Sequence, residues 1–360
     1  MRYCLILSAV GCLLLAAAGR ARAEELPPKY QEVVNKGLDW LARQQHRAGF
    51  WEGNGGQYPI AMTGMAGMCF LMEGSTIRDG KYSQNIARAA DWLMARSQPN
   101  GLIGDPRNDR EAGRYMYGHG FAMLFLACVY GEEEDDARRK KLEDVLTRAV
   151  KFSGEAQSSS GGWNYTSARD SGDHHEGSVT ITQVQGLRAA RNAGIVVPKE
   201  IIDKAHKYLR DSTTADGGVM YRLGQNNPRP ALAAQAITCL FSSGEYESEH
   251  AKKMLRYCVN NLPLNGTAAA RFGHFEYTHY YYAQVHYALG DDKWDKLFPG
   301  SKESDKLTWS KYKEVMFPQL AATQQADGSW AQGYIGPVYT TACYLTVFQL
   351  EKGTLPIYQR

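Results

Sequence analysis

The segment Asp170-Ser-Gly-Asp-His-His-Glu176 holds the densest group of side chains that could do chemistry. A carboxylate beside an imidazole can hold the ring in one tautomer, and such a pair can act as a general acid and base. Asp173, His175 and Glu176 are therefore candidate catalytic residues. The alternative interpretation is a solvated loop that leads into a helix, with Glu176 stabilising the helix N-terminus.

The same segment contains residue types that bind metals, so a metal site is a further alternative. Consecutive residues in a loop seldom all reach one ion, and neither a CxxC nor an HExxH spacing occurs in the chain. We therefore predict neither a metal centre nor a bound cofactor.

A second group of candidates consists of aromatic and imidazole side chains at the starts of apolar helical segments. The chain contains 22 tyrosines and 9 histidines. If these starts converge on one opening, the side chains would line a ligand cavity, although they could equally fill an interior. His119 and Tyr280 are candidate catalytic residues on this basis. The candidate ligand-binding residues are Tyr58, Tyr117, His279, Tyr281 and Tyr339.

Helices must position these candidates, because strand-like alternation of apolar and polar residues is scarce. Amphipathic helical segments alternate with segments that are apolar on most sides, such as 60–72 and 118–130. An apolar helix must be enclosed by other helices, whereas an amphipathic helix can face water on one side. Six inner helices surrounded by six outer helices meet both demands. The predicted fold class is therefore all-α.

The pair of helices recurs about every 55 residues, and its first helix ends in a glycine turn. The clearest copies are Gln45…Gly49-Phe-Trp51 and Gln324…Gly328-Ser-Trp330. Glycine adopts the left-handed conformation that ends many helices, and the tryptophan can then fold back onto the helix pair. We interpret the glutamine and tryptophan as a structural clip between neighbouring hairpins. The closing residues are Trp51, Leu102, Trp163, Val219, Phe275 and Trp330.

The two glutamine–tryptophan segments resemble the QW repeats of the squalene cyclase and protein prenyltransferase β-subunit superfamily. This resemblance extends over essentially the whole chain after the first 23 residues. It implies an α/α toroid, an (α/α)6 barrel of six helical hairpins around a central lumen. Two later segments, Tyr280-Tyr-Tyr-Ala-Gln284 and Val338-Tyr-Thr-Thr-Ala342, are similar to exported bacterial prenyltransferase/squalene-oxidase repeat proteins.

The chain departs from the catalytic motifs of that superfamily. Its cyclases protonate an alkene with an Asp-Xaa-Asp-Asp motif, and neither Asp135-Asp136 nor Asp291-Asp292 has the third aspartate. Its protein prenyltransferases bind zinc partly through an Asp-Xaa-Cys pattern, which is also absent. The resemblance therefore implies a fold far more than a reaction.

The first residues are typical of a secretory signal peptide. A short basic start precedes an apolar run over 3–18, and small residues at Ala21 and Ala23 suit cleavage after Ala23. The run is shorter than the roughly 20 residues of a membrane span, so we predict no transmembrane segment. A lipoprotein cysteine at Cys12 is a weaker alternative. We expect an exported, periplasmic or extracellular protein in which 24–360 form one toroid domain of six repeats.

Charge excludes one class of partner. The formal net charge is +3 and no cluster of Lys and Arg stands out, so the chain has no electrostatic footprint for nucleic acid. Five cysteines would remain after cleavage, and most lie in apolar runs as small buried residues, although Cys239 and Cys258 could pair.

Two functional hypotheses follow. In the first, the lumen binds a small hydrophobic molecule (an isoprenoid or lipid) or a glycan, and the rim could dock a protein partner. In the second, the protein is an enzyme that acts on an isoprenoid, or a polysaccharide lyase or hydrolase by analogy of fold. An enzyme would place Asp173 or Glu176 within hydrogen-bond reach of His119 or His279 at the lumen mouth.

Overall fold

Twelve long helices form two layers in the computed structural model, which describes residues 26–108, 110–111, 113–265 and 274–359. The outer helices are α1 (Pro28–Arg43), α3 (Ser83–Met94), α5 (Asp136–Ala156), α7 (Lys199–Asp211), α9 (Glu249–Asn261) and α11 (Trp309–Ala322). The inner helices are α2 (Pro59–Glu73), α4 (Tyr115–Glu132), α6 (Gly177–Asn192), α8 (Pro230–Ser242), α10 (Phe275–Leu289) and α12 (Pro337–Gln349).

The inner helices close into a ring. Each packs against the next inner helix in chain order, and α12 returns to pack against α2. Each outer helix covers this ring from outside; α3, for example, contacts α2 and α4. Within the described ranges no strand is formed, only isolated bridges. This arrangement confirms the predicted all-α class and the α/α toroid of six hairpins.

The predicted signal peptide, residues 1–23, lies outside the described residues. Among the helices that the structure describes, none is both long enough and apolar enough to cross a bilayer. The described cysteines, including Cys239 and Cys258, all carry free thiols, so these two do not pair. Burial raises the pKa of the Cys69 thiol to about 12, and it therefore behaves as a small apolar side chain.

Glycines let the inner helices approach one another closely. A Cβ atom at Gly64 in α2 would lie 2.6 Å from the carbonyl oxygen of Phe121 in α4. A Cβ atom at Gly186 in α6 would lie 2.8 Å from the carbonyl oxygen of Gly120, again in α4. Because real Cβ contacts are longer, larger residues at these positions would push α2, α4 and α6 apart.

The glutamine of each clear turn joins one hairpin to the next. Gln45 Nε2 donates to the carbonyl oxygen of Gly49 in its own turn and to that of Asn85 in α3, both at 2.9 Å. Gln157 and Gln324 make the equivalent pairs of hydrogen bonds. Each glutamine therefore satisfies a turn carbonyl and one on the neighbouring outer helix.

The tryptophan of the same turn joins the outer helix to the inner helix. Trp51 Nε1 donates to the carbonyl oxygen of Leu41 at 2.7 Å, and the Trp51 backbone N donates to Thr63 Oγ1 at 3.0 Å. Trp163 and Trp330 bond in the same way to α5 and α6 and to α11 and α12. These fully buried rings act as the clip that the sequence pattern predicts.

The C-terminal segment covers the end of the ring at which the inner helices finish. Its short helix Pro356–Tyr358 packs against α6. The buried Tyr358 hydroxyl lies 3.3 Å from that of Tyr280 in α10. Thr354 Oγ1 adds a hydrogen bond to the carbonyl oxygen of Met72 near the end of α2. The segment thus contacts several inner helices at once.

We predict that Gly101→Ala destabilises the protein more than Gly194→Ala. Both glycines have left-handed φ angles, +94° and +93°, so both substitutions carry a strain of about 1–2 kcal/mol. At Gly101 the new Cβ would also lie 2.1 Å from the carbonyl oxygen of Arg148 in α5, whereas nothing lies within 4 Å at Gly194. The extra loss should be about 1–3 kcal/mol. Urea denaturation of both variants measures this difference in the free energy of unfolding. Equal losses in the two variants would show that the contact with Arg148 contributes nothing beyond the strain at positive φ.

Candidate functional site

A cavity of about 680 Å³ opens where the first turns of the six inner helices meet. Every inner helix contributes to its walls, so all six begin at the same end of the ring. The described lining residues are Tyr58, Ala61, Met62, Met65, Arg114, Tyr117, Phe121, Tyr165, Ser178, Tyr221, Arg229, Pro230, Ala231, Leu232, Gln235, His274, Tyr277, Tyr334, Ile335 and Tyr339.

The cavity changes character with depth. Tyrosines and two arginines lie around the mouth, whereas residues one or two turns into the helices are mostly apolar. On α2, Met62 and Met65 follow Tyr58 by four and seven residues, and on α4 Phe121 follows Tyr117 by four. These spacings keep side chains on one helix face, so each pair descends from the mouth to the floor.

The residues that directly precede the inner helices form much of the mouth. They are Tyr58, Arg114, Glu176, Arg229, His274 and Gly336 in chain order. Tyr58 and His274 have φ angles of 55° and 57°, and they are the non-glycine residues with positive φ in the described part of the chain. Such strained conformations cluster at functional sites, which supports the mouth as the site.

Three of the predicted ligand-binding residues line the cavity: Tyr58, Tyr117 and Tyr339. Tyr281 is buried on α10, edge-to-face with the lining residue Tyr277 at 5.0 Å between ring centroids. Tyr280, a catalytic candidate, lies deeper, where its hydroxyl faces Tyr358 rather than the mouth.

His279, the remaining ligand-binding candidate, points away from the cavity. Its Nδ1 lies 3.0 Å from the hydroxyl of Tyr312 in α11, so the ring packs between α10 and α11. Burial lowers its pKa to about 3, which keeps the imidazole neutral.

His119, a catalytic candidate, also lies between two helices instead of in the cavity. The Ile103 backbone N donates to Nδ1 at 3.1 Å, so the proton of the neutral ring belongs on Nε2. Nε2 then donates towards the Ala149 carbonyl oxygen and Ser153 Oγ on α5, at 3.2 and 3.0 Å. Burial lowers the pKa of His119 to about 4. All of these hydrogen bonds link His119 to neighbouring parts of the protein, and none is directed towards the cavity.

Asp173 and His175 lie in the loop before α6, but they bond to different serines. Asp173 is exposed; Ser159 Oγ donates to its Oδ2 and the Ser159 backbone N donates to its Oδ1 at 2.6 Å, and these bonds hold the pKa of Asp173 below the usual range. His175 Nε2 accepts from the Leu223 backbone N at 3.3 Å, so its Nδ1 carries the proton and donates to Ser160 Oγ at 3.0 Å. In this tautomer His175 cannot take a proton from Ser160.

Glu176 comes nearer to the cavity than the other predicted catalytic residues do. Its fully buried carboxylate caps α6, accepting from the Val179 backbone N at 2.6 Å and from Ser178 Oγ at 2.7 Å. The hydroxyl of Tyr117 lies 3.5 Å from its Oε1. Burial raises the pKa of Glu176, which the bonds from Ser178 and Val179 partly offset. The structure therefore brings Glu176 together with Tyr117, just behind the wall.

The acid–base pairing expected of an enzyme is not formed by these residues. Asp173 and Glu176 bond to serine side chains and backbone groups, while the rings of His119 and His279 bond to α5 and α11. Within the parts of the chain that the structure describes, therefore, none of these carboxylates is hydrogen-bonded to either histidine.

Several lining residues were not among the predicted ones. Arg114 and Arg229 directly precede inner helices, whereas the predicted residues lie mostly within the helix starts. Tyr165 and Tyr221 each lie two residues after a closing position, Trp163 or Val219. That shared offset was a usable signal, because equivalent residues of adjacent hairpins become neighbours in a toroid.

Glu111 lies behind the wall next to α2 and responds to pH. Its Oε1 accepts from the Ile60 backbone N at 2.7 Å, which holds the first turn of α2 in place. Burial raises the pKa of Glu111 to about 7, although the bond from Ile60 and the charge of Arg96 oppose the shift. The carboxyl therefore titrates near neutral pH, close to the cavity.

Comparison with known proteins yields short matches in sequence. No family model matches the chain. Human lanosterol synthase is 31% identical over 93 residues, which are 26% of this chain and 13% of the human protein. Mouse lanosterol synthase is 30% identical over 86 residues, or 24% of this chain and 12% of the mouse protein. The matched segment thus spans about an eighth of these relatives.

Solved structures match over nearly the whole chain. A variant of the type II terpene cyclase MstE from Scytonema, in complex with its product merosterolic acid A, has a TM-score of 0.58 at 12% identity, covering 91% of this chain and 98% of that chain. An inactive variant of the α-1,6-mannanase GH76A of Salegentibacter sp. HEL1_6, in complex with α-1,6-mannotriose, has a TM-score of 0.63 at 10% identity, covering 90% and 99%. These likenesses confirm the α/α toroid fold.

We predict that Glu111→Gln flattens the pH dependence of stability. Because burial raises the pKa of Glu111 from 4.5 to about 7, the folded protein binds this proton more tightly than the unfolded chain does. The stability it contributes is present below pH 4.5 and is lost as pH rises through 7. Between pH 5 and pH 8 the free energy of unfolding of the wild type should therefore fall by roughly 2–3 kcal/mol more than that of Glu111→Gln, which keeps an acceptor for the Ile60 backbone N.

Urea denaturation of both proteins at pH 5 and pH 8 measures this difference. An unchanged difference between the two proteins at the two pH values would contradict the titration of Glu111.

Proposed function

We propose that the protein binds a hydrophobic ligand, an isoprenoid or a lipid, inside the lumen with its polar end at the mouth. The observation that carries this proposal is the floor of the cavity, where Met62, Met65, Phe121 and Leu232 surround the space below an aromatic mouth. Burying apolar surface there is worth about 25 cal/mol per Å² removed from water.

The side chains of the floor suit a flexible apolar molecule. Met62 and Met65 are unbranched and polarisable, so they can adapt to irregular shapes. The rings of Phe121 and Tyr277 supply large contact areas at small entropic cost. A mostly apolar cavity with a few polar groups is typical of small-molecule sites.

The comparisons support an isoprenoid as the first ligand class to test. The cyclase MstE, which has the same fold, has been solved with the substrate geranylgeranyl dihydroxybenzoate. An enzyme that acts on an isoprenoid is the alternative within this class. The missing Asp-Xaa-Asp-Asp motif makes us favour binding over cyclisation.

A glycan is the second candidate ligand, because the cavity is lined by seven tyrosines on which sugar rings could pack. The mannanase with the same fold has been solved with mannotriose. Glycoside hydrolysis generally needs two carboxylates flanking the scissile bond, whereas the described lining residues include no Asp or Glu. This favours glycan binding, or a lyase, over hydrolysis. The lining tyrosines are Tyr58, Tyr117, Tyr165, Tyr221, Tyr277, Tyr334 and Tyr339.

We also propose that the protein works outside the cytoplasm. The basic start, the apolar run over 3–18 and the small residues before position 24 support this location. Its ligand would then come from the cell envelope or the surroundings.

We predict that purified protein binds geranylgeraniol and that Ala231→Trp weakens this binding at least about tenfold. Ala231 lies on the cavity wall and is partly exposed, so a tryptophan there would fill ligand space without disrupting the core. Tenfold corresponds to about 1.4 kcal/mol. Ala193→Trp is the matched control, because this partly exposed alanine directly follows α6 at the end of the ring away from the mouth; this variant should bind like the wild type. Isothermal titration measures both.

Mannotriose is the competing probe in the same assay. If mannotriose binds and geranylgeraniol does not, the glycan becomes the ligand class. Equal weakening by the substitutions at Ala231 and Ala193 would place the ligand outside the cavity.

A further inference from the structure

We propose that Arg114 and Arg229 bind the oxyanion of an amphiphilic ligand, a carboxylate or a phosphate monoester, at the mouth of the cavity. This proposal specifies the ligand of the binding function proposed above and rests on it. Both arginines line the cavity, and each directly precedes an inner helix, α4 or α8.

The two arginines belong to one chain of contacts along the wall. The Arg114 guanidinium lies over the ring of Tyr165, 4.9 Å from its centroid, and that of Arg229 lies over Tyr221 at 4.2 Å. The hydroxyls of Tyr165 and Tyr221 are hydrogen-bonded to each other. Stacking on an aromatic face positions a guanidinium and leaves its N–H edges available for a planar oxyanion.

Neither arginine of this wall is held in an ion pair within the described ranges. There, no carboxylate lies within ion-pair distance of Arg114 or Arg229, and no lining residue is acidic. The oxygens of Glu176, behind the wall, are already occupied by Ser178 and Val179. The N-termini of the inner helices add partial positive charge to the same mouth. An anion is therefore the complementary ligand group.

The side-chain amide of Gln235 lies deeper in the same wall. Gln235 follows Arg229 by six residues on α8, which places it roughly 9 Å further in. The side chain is 2% exposed, and its amide oxygen has no hydrogen-bond partner in the described structure. Leaving a buried amide unpaired costs free energy, so its place in a cavity wall points to a polar atom on the ligand.

The surroundings of Gln235 decide between an amphiphile and a free anion. Met65 and Phe121 line the cavity at a comparable distance along α2 and α4, and Leu232 lines it one turn nearer the mouth. A small inorganic anion would leave these apolar side chains against water, whereas a molecule with an apolar body would cover them. A ligand that fits both the arginines at the mouth and the surroundings of Gln235 has an acidic head, a polar atom near its middle and a hydrophobic remainder.

The test compares acids with their neutral counterparts. Purified protein is titrated with oleate and oleyl alcohol, with geranylgeranyl monophosphate and geranylgeraniol, and with inorganic phosphate alone. We expect at least one acid to bind about tenfold or more tightly than its alcohol, as charge-assisted hydrogen bonds predict. The two pairs distinguish a carboxylate from a phosphate ester.

Three arginine variants identify the residues responsible. Arg114→Gln and Arg229→Gln should each weaken the acid about tenfold or more and leave the alcohol unchanged. Arg222→Gln is the matched control, because its guanidinium lies 5.7 Å from the Tyr221 ring centroid but does not line the cavity. It should bind both probes like the wild type.

Each other outcome has a definite meaning. Acids that bind no more tightly than their alcohols, or substitutions of Arg114 and Arg229 that weaken acid and alcohol equally, overturn the oxyanion site but leave the hydrophobic cavity standing. Failure of every probe to bind overturns both proposals. Inorganic phosphate binding as tightly as the phosphate ester would support the oxyanion site and overturn the amphiphile.

Discussion

The closed ring of inner helices is the constraint on which the rest of the structure depends. Each outer helix carries the chain back before the next inner helix begins, so all six inner helices start at one end. Their first turns present N–H groups that have no partner within the helix, together with the positive ends of the helix dipoles. Topology alone therefore polarises the mouth positively before any side chain is considered.

Side chains at equivalent positions of the hairpins divide into two kinds. Those of the clips are alike, because Gln45 and Gln324, for example, have the same carbonyl groups to satisfy. Those that precede the inner helices differ, because they lie at or directly behind the cavity mouth and need not repeat one bond. Arg114, Glu176 and His274 occupy this position before α4, α6 and α10. Function is expected where equivalent positions differ.

Sequence patterns predict the fold well because the local causes of the toroid repeat, whereas they predict the site only in part. Tyr117 and His119 are two residues apart on α4, which is about 200° around a helix. When Tyr117 faces the lumen, His119 must face the outer layer, where it bonds to α5. The same separation turns His279 away from the side that Tyr277 occupies. The residue types of His119 and His279 suggest chemistry, but their place in the helical turn determines which face of the helix they occupy.

Sequence patterns do not reveal the wall formed by Arg114, Tyr165, Tyr221 and Arg229, for a different reason. Arg114 and Arg229 lie at helix boundaries, where no periodicity operates and assignments vary by a residue or two. Tyr165 and Tyr221 lie in separate loops, 56 residues apart, and meet only because the ring sets adjacent hairpins side by side. In a toroid the spacing of the hairpins predicts contacts, since residues at the same offset in adjacent hairpins become neighbours in space. Aligning the hairpins by their closing residues would therefore have placed these tyrosines together, and the arginines that stack on them beside the same mouth.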